Sequence, residues 1–288
     1  MIVLRRAAAL TEYLARRRDR GETIAFVPTM GALHDGHISL IHKASRICDR
    51  VVCSVFVNPT QFNDPSDFEK YPVTVESDLH MLARADLDLL FLPTVSEIYP
   101  QGTGNPPRYD LGELDRVLEG EHRPGHFQGV CRVVHRLLSI TEPDVLVMGA
   151  KDFQQCMVCR RLIEIETLPV KLFAAETVRE SSGLAMSSRN RRLTDAGREK
   201  ASTIYSILSH WRQSLGRVPI PQLEAEGAAR LESEGFKSEY ACIRDPNTLK
   251  PVVEWDGKQP LVGLIAAWLE GVRLIDNAML HGTIPSEF

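Results

Sequence analysis

The run PTMGALHDGH, residues 28–37, carries two imidazoles three residues apart, His34 and His37, with Gly31 and Gly36 beside them. An apolar segment, residues 23–27, precedes it. Ile38, Ile41, Ala44 and Cys48 follow at three- and four-residue spacing, which predicts a helix from Gly36 onward. The histidines therefore lie on a loop that leaves a strand and opens a helix. A helix N-terminus presents unpaired N–H groups and partial positive charge, which suits a phosphate. Imidazoles placed there can follow charge developing on a phosphoryl oxygen, and the glycines let the backbone come close to a ligand. Two unrelated surface histidines at a turn are the bland alternative, and the strand–loop–helix setting argues against it.

Three further segments could serve the same chemistry. NPTQF, residues 58–62, ends the next apolar run; Asn58 and Gln61 offer neutral donors and acceptors for a hydroxylated substrate, against simple Asn-Pro turn chemistry. GAKDFQQ, residues 149–155, follows another apolar run. After Gly149, Lys151 could meet phosphates as a point charge, Asp152 could accept from ribose hydroxyls, and Gln155 faces the same edge. A helix start capped by Asp152 is the structural alternative. Met186, Ser187, Ser188 and Arg189 combine hydroxyls with a guanidinium, a phosphate clamp on a loop able to close, in a composition also common on surfaces.

The elements that must position these residues read as an α/β fold. Strands are expected at 23–27, 51–57, 89–92, 144–148 and 170–174, alternating with helices near 36–48, 73–85, 125–138 and 153–166. That alternation implies a Rossmann-like parallel sheet covered on both faces. Ligands of such sheets collect at the carboxyl ends of the strands, where the loops lie. Beyond residue 177 the texture changes to helices at 195–215 and 222–234 and strands at 240–243, 261–269 and 272–275. We expect residues 1–177 to form a domain binding a nucleoside triphosphate and a second substrate, and residues 178–288 a smaller α+β lid domain. No P-loop or dinucleotide fingerprint occurs.

Composition bounds the partners. Lys and Arg number 34 against 38 Asp and Glu, a formal charge of −4, which argues against a nucleic-acid binder. No run of 18 apolar residues suggests a membrane span. The Arg-rich N-terminus reads as an amphipathic helix with Leu10 and Leu14 on its apolar face rather than a transit peptide. Cys156 and Cys159 form a C-x-x-C with no second pair to complete a metal site, so they are expected to pack as small apolar groups in a reducing cytoplasm.

PTMGALHDGH (28–37), VFVNPTQF (55–62), LEGEHRPGHFQGV (118–130), GAKDFQQ (149–155), GLAMSSRN (183–190) and AAWLEGVRLIDN (266–277) resemble, in order and nearly end to end, the pantothenate synthetase or pantoate–β-alanine ligase family. The resemblance implies a homodimeric ligase that condenses D-pantoate and β-alanine using ATP and magnesium, through an enzyme-bound pantoyl adenylate. Carried over by position, it implies that His34 and His37 meet the ATP phosphates, His37 as proton donor. Lys151, Ser187, Ser188 and Arg189 would hold the triphosphate, Gly149 and Asp152 the ribose, and Val178 the adenine. Gln61 and Gln155 would bind pantoate, with Met30 and nearby backbone lining the pocket. Magnesium is expected on ATP oxygens, with no protein ligand named. Ala150, Gln128, Ser182 and Thr60 depart from the commoner family pattern. Two rivals share some features. A plain nucleotidylyltransferase would want extra basic residues for an acceptor phosphate. A nucleotide sensor would tolerate loss of His37.

Overall fold

In the computed structural model, which describes residues 1–63, 65–104 and 106–284, the chain divides into two compact units. The first comprises Met1–Gly149 and Gln154–Ala175, the second Ala150–Phe153 and residues 176–284.

The first unit is built on six strands: β1 (Ile2–Leu4), β2 (Ile24–Thr29), β3 (Arg50–Val55), β4 (Leu89–Phe91), β5 (Val145–Gly149) and β6 (Lys171–Ala175). They form one sheet in the order β1-β4-β3-β2-β5-β6, and the registered pairs are parallel. Alternate residues divide between the faces. Ala25, Val27, Val51, Cys53 and Val55 share a core with Ile41 and Ala44 of the Asp35–Ala44 helix and Leu82 of the Val75–Arg84 helix. Ile24, Phe26 and Val52, on the alternate positions, are equally buried, so the sheet is covered on both faces. On the Ala7–Arg18 helix, Leu10 and Leu14 are fully buried, and Thr11 donates to the Ile140 carbonyl at 3.0 Å. Cys156 and Cys159 are buried on the Phe153–Ile165 helix, and desolvation holds the Cys159 thiol well above its ordinary value.

The strand order reverses between β2 and β5. From β2 the chain runs outward through β3 and β4, then returns to β5 on the other side. β2 pairs with β3 as far as Thr29 but with β5 only at Ala25 and Phe26. The two central strands therefore part before Pro28. That proline, expected to end the strand, is instead inside β2, where the short β5 ladder makes no demand on a donor it lacks.

The second unit holds the antiparallel sheet β7 (Lys237–Arg244), β8 (Leu261–Leu269) and β9 (Val272–His281). Its core joins Ile204, Ile207, Leu208 and Trp211 of the Thr203–Ser214 helix to Leu223 and Leu231 of the Ile220–Ser233 helix and to Ile265 and Leu274 of the sheet. Two expectations differ from this structure. The helix read over 195–215 is two helices, Asp195–Ala201 and Thr203–Ser214, meeting at Ser202, whose hydroxyl donates to the Glu199 carbonyl at 2.6 Å. The last strand does not stop at residue 275 but continues through the polar pair Asp276–Asn277 to His281.

Candidate active site

The histidine loop leaves the carboxyl end of β2 and is held from below. Gly31 has φ +81°, and a Cβ there would lie 3.0 Å from Asp78 Oδ2. Ala32 follows at φ 49°, a region that disfavours side chains. Asp78, 2% exposed, offsets that strain: its carboxylate accepts from Ala32 N–H at 3.0 Å and from Leu33 N–H at 2.8 Å. Thr74 Oγ1 donates to the same carboxylate at 3.0 Å. The loop then enters the Asp35–Ala44 helix with His34 as its N-cap. His34 N–H donates to His37 Nδ1 at 3.3 Å, and the two ring centroids lie 4.0 Å apart. A neutral imidazole that accepts at Nδ1 carries its proton on Nε2, so His37 is set up as an Nε2 donor. Gly36 lies in the first turn of this helix.

Beyond β3 the turn Pro59–Gln61 is organised by Asn58, which is 1% exposed. Asn58 Oδ1 accepts from Thr60 N–H at 3.3 Å, Thr60 Oγ1 at 3.0 Å and the Tyr99 hydroxyl at 2.9 Å. Its Nδ2 donates to the Gly129 carbonyl at 3.2 Å and to Gln61 Oε1 at 3.1 Å. Backbone donors and acceptors on either side fix this amide's orientation, and it in turn fixes that of Gln61. Gln61 therefore turns its Nε2 donor outward from Asn58, toward Met30 Sδ at 2.9 Å. Asn58 thus has both ends of its amide engaged within the turn and its neighbours. His126 Nδ1 meets the Gln61 carbonyl at 2.7 Å, and a Cβ on Gly129 would strike the Thr60 carbonyl.

Two adjacent glutamines follow β5 and behave differently. Gln154 is buried: its Nε2 donates to the Leu114 and Val117 carbonyls at 2.9 Å each, and its Oε1 accepts from Glu119 N–H at 3.1 Å. Gln155 is half-buried, and its amide takes no hydrogen bond from the described residues. Of the family departures, Gln128 is engaged with Asp115 Oδ2 at 2.9 Å and the Tyr109 carbonyl at 3.0 Å. The Thr60 hydroxyl belongs to the Asn58 cluster.

The remaining residues belong to the second unit. Lys151 and Asp152 lie on the short turn after Gly149, with Lys151 Nζ 3.4 Å from Asp152 Oδ1. Ser187 caps the turn Ser188–Arg192, its Oγ accepting from Arg189 N–H at 3.3 Å. Met186 N–H donates to the Val178 carbonyl at 3.0 Å, folding that segment back on itself. Asp276 is buried beside Arg179. Desolvation pushes its carboxyl above the ordinary value, and the guanidinium opposes that rise. Sequence reasoning passed over Asp78, Asp276 and Asn277, because a lone polar residue in a helix or strand carries no spacing signal.

Nucleotide chemistry at a strand–loop–helix mouth, beside neutral amides, has a counterpart among known proteins. A model of the family described as pantoate-beta-alanine ligase matches residues 2–279. The chain belongs to that family. Among members of the pantoate–β-alanine ligase family, the pantothenate synthetase of Cytophaga hutchinsonii is 42% identical over 283 residues, covering 97% of this chain and 99% of the relative. That of Porphyromonas gingivalis strain W83 is 44% identical, covering 96% and 98%. A crystal structure of the Thermus thermophilus ligase superposes with a TM-score of 0.91 at 38% identity, covering 98% of this chain and all of that one. The Francisella tularensis ligase, solved with β-γ ATP and β-alanine, superposes with a TM-score of 0.80 at 37% identity, over 97% and 98%.

Proposed function

We propose that the chain joins D-pantoate to β-alanine at the expense of ATP, in two steps at one site. First a pantoate carboxylate oxygen bonds to the α-phosphorus. The bond from that phosphorus to the bridging oxygen breaks, and pyrophosphate leaves with the electron pair. Then the β-alanine amine bonds to the acyl carbon of the pantoyl adenylate. AMP leaves with the electron pair of the C–O bond, and the surplus amine proton is released. No bond to the protein is needed, so catalysis rests on alignment and on charge stabilisation.

The observation that carries this reading is the histidine loop. A neutral His37, accepting at Nδ1 from His34 N–H, offers its Nε2 proton at the mouth of a helix. On this reading His34 and His37 follow charge on the reacting phosphates. Met30, Gly31 and Gly36 line the approach, and Gly149, Asp152 and Val178 hold the nucleoside. Lys151, Met186, Ser187, Ser188 and Arg189 hold the triphosphate, the last four from the proposed 178–288 domain. Gln61, oriented by Asn58, and Gln155 read pantoate. Neutral amides suit a hydroxy acid better than a phosphorylated acceptor, which would call for Arg or Lys.

Magnesium would travel on ATP. Among the described residues no group of three or more His, Cys, Asp or Glu could hold a metal ion. Among the same residues no helix is long and apolar enough to cross a membrane. A homodimer working in the cytoplasm completes the proposal.

The test is exchange of labelled pyrophosphate into ATP without β-alanine. Exchange should appear only when pantoate is added. Exchange that ignores pantoate, or that needs β-alanine, would reject the proposed order and substrate.

A further inference from the structure

Within the second unit, β9 places Asp276 and Asn277 side by side, each 5% exposed. Asn277 Nδ2 donates to the Ala150 carbonyl at 2.9 Å and to the Lys151 carbonyl at 2.8 Å. Both partners can only accept, so the NH₂ end of this amide must face the lysine turn. Asp276 holds Arg179 in a fork: Nη1 to Oδ2 at 2.5 Å and Nη2 to Oδ1 at 3.0 Å. The guanidinium also donates to the carbonyls of Asn277 and Gly183, at 3.1 Å each, and lies 4.0 Å from the centroid of the Tyr205 ring. Arg179 is bridged to Ala185, and the chain runs from there into Ser187–Arg189. One dipeptide of β9 thus grips two segments, the turn bearing Lys151 and Asp152 and the segment leading to the serine–arginine clamp.

The geometry points to Asn277 as a positioning residue for Lys151 in nucleotide binding and adenylation, with the Asp276–Arg179 pair setting the serine–arginine segment from the same strand. This rests on Lys151 being an ATP contact. A lysine stem is long and flexible, so where its ammonium can reach depends on where its backbone is fixed. Asn277 fixes that backbone by two bonds. It also draws two peptide carbonyls toward itself, which turns the negative ends of those dipoles to one side of the turn. Asn277 needs no contact with any substrate to do this.

The experiment compares Asn277→Ala, Lys151→Ala and the double variant in pantoate-dependent pyrophosphate exchange, with thermal melting to confirm folding. Asn277→Ala should lose about 10- to 100-fold in kcat/KM for ATP, the size of effect that follows a misplaced catalytic group. KM for pantoate should stay within about two-fold, since Gln61 and Gln155 are untouched, and in the Lys151→Ala background the same change should cost no more than about two-fold. Wild-type exchange by Asn277→Ala, or an equal loss with and without Lys151, would overturn the positioning role while leaving the ATP contact standing. Wild-type exchange by Lys151→Ala would overturn the contact itself and the positioning role with it. If Asn277→Ala does not fold, Asn277→Ser gives the same comparison, because it keeps a small polar side chain in β9 that cannot reach both carbonyls.

Discussion

The histidine loop of the first unit hangs on a carboxylate, and the lysine turn of the second hangs on an amide. Asp78 accepts two backbone N–H groups, from Ala32 and Leu33, whereas Asn277 donates to two backbone carbonyls, those of Ala150 and Lys151. The difference follows from what each segment must tolerate. The histidine loop passes through positive φ at Gly31 and Ala32, where its N–H groups have no ladder to join; a buried acceptor is what they need. The lysine turn opens a helix, and its carbonyls are the groups drawn aside. In both cases a segment carrying a proposed phosphate contact is held by a buried side chain bonded to its backbone. Rigid support of that kind is what precise placement requires.

The comparison is sharpened most by removing a group proposed to do the chemistry. His37→Ala deletes the proposed donor to the reacting phosphate while Asp78 and its bonds remain. Loss of one such donor typically lowers turnover by about 10²–10³. Single-turnover formation of pantoyl adenylate should show that loss, with ATP affinity changed far less. Adenylation at the wild-type rate would assign the histidines to binding alone.

Next in size is the support beneath. Asp78→Asn keeps the shape of the side chain but turns an NH₂ toward one of the two N–H groups it now accepts. An unmet buried donor of this kind costs about 1–3 kcal/mol. The expected result is a lower denaturation midpoint together with slower adenylation and unchanged binding of pantoate. If stability fell while adenylation held, the loop would not depend on Asp78 for its working geometry, and the parallel with Asn277 would break.

The strand-end placement of the candidate residues was legible in the sequence, and their supports were not, for a physical reason. His34, His37, Gln61 and Lys151 follow apolar runs and precede helical spacing, so a parallel-sheet reading alone places them at strand ends. Asp78 sits in the amphipathic Val75–Arg84 helix, where a carboxylate reads as solvent-facing; only the fold shows the loop it reaches. Asp276 and Asn277 look like the end of a strand because polar residues commonly end one. They are buried because Arg179 and the lysine turn, 97 and 126 positions away in sequence, supply their partners. The C-x-x-C was legible for the opposite reason: with no further ligands near in sequence, packing was the better expectation. The two central strands illustrate a middle case, since Pro28 lies near the carboxyl end of β2 but is not its last residue.

The smallest effect lies in the β8–β9 turn of the second unit and isolates stability from chemistry. Glu270, in the turn between β8 and β9, accepts from Thr194 N–H at 2.9 Å and from Thr194 Oγ1 at 2.7 Å, while Thr194 caps the Asp195–Ala201 helix. Those two bonds, the backbone one first, hold the Glu270 carboxyl below its ordinary value of 4.5. A carboxyl whose value is lowered by folding stabilises the fold while it is ionised in both states, above 4.5, and that contribution fades as pH falls through the lowered value. Glu270→Gln should therefore melt slightly below the wild type at neutral pH, and the gap should close on acidification below that range. Thermal melts of both proteins across pH measure it. Because Glu270 touches neither Lys151 nor the serine–arginine turn, pyrophosphate exchange should be unchanged where both proteins are folded. A gap that persisted at low pH would mean that Thr194 is held by the shape of the β8–β9 turn and not by the charge on Glu270.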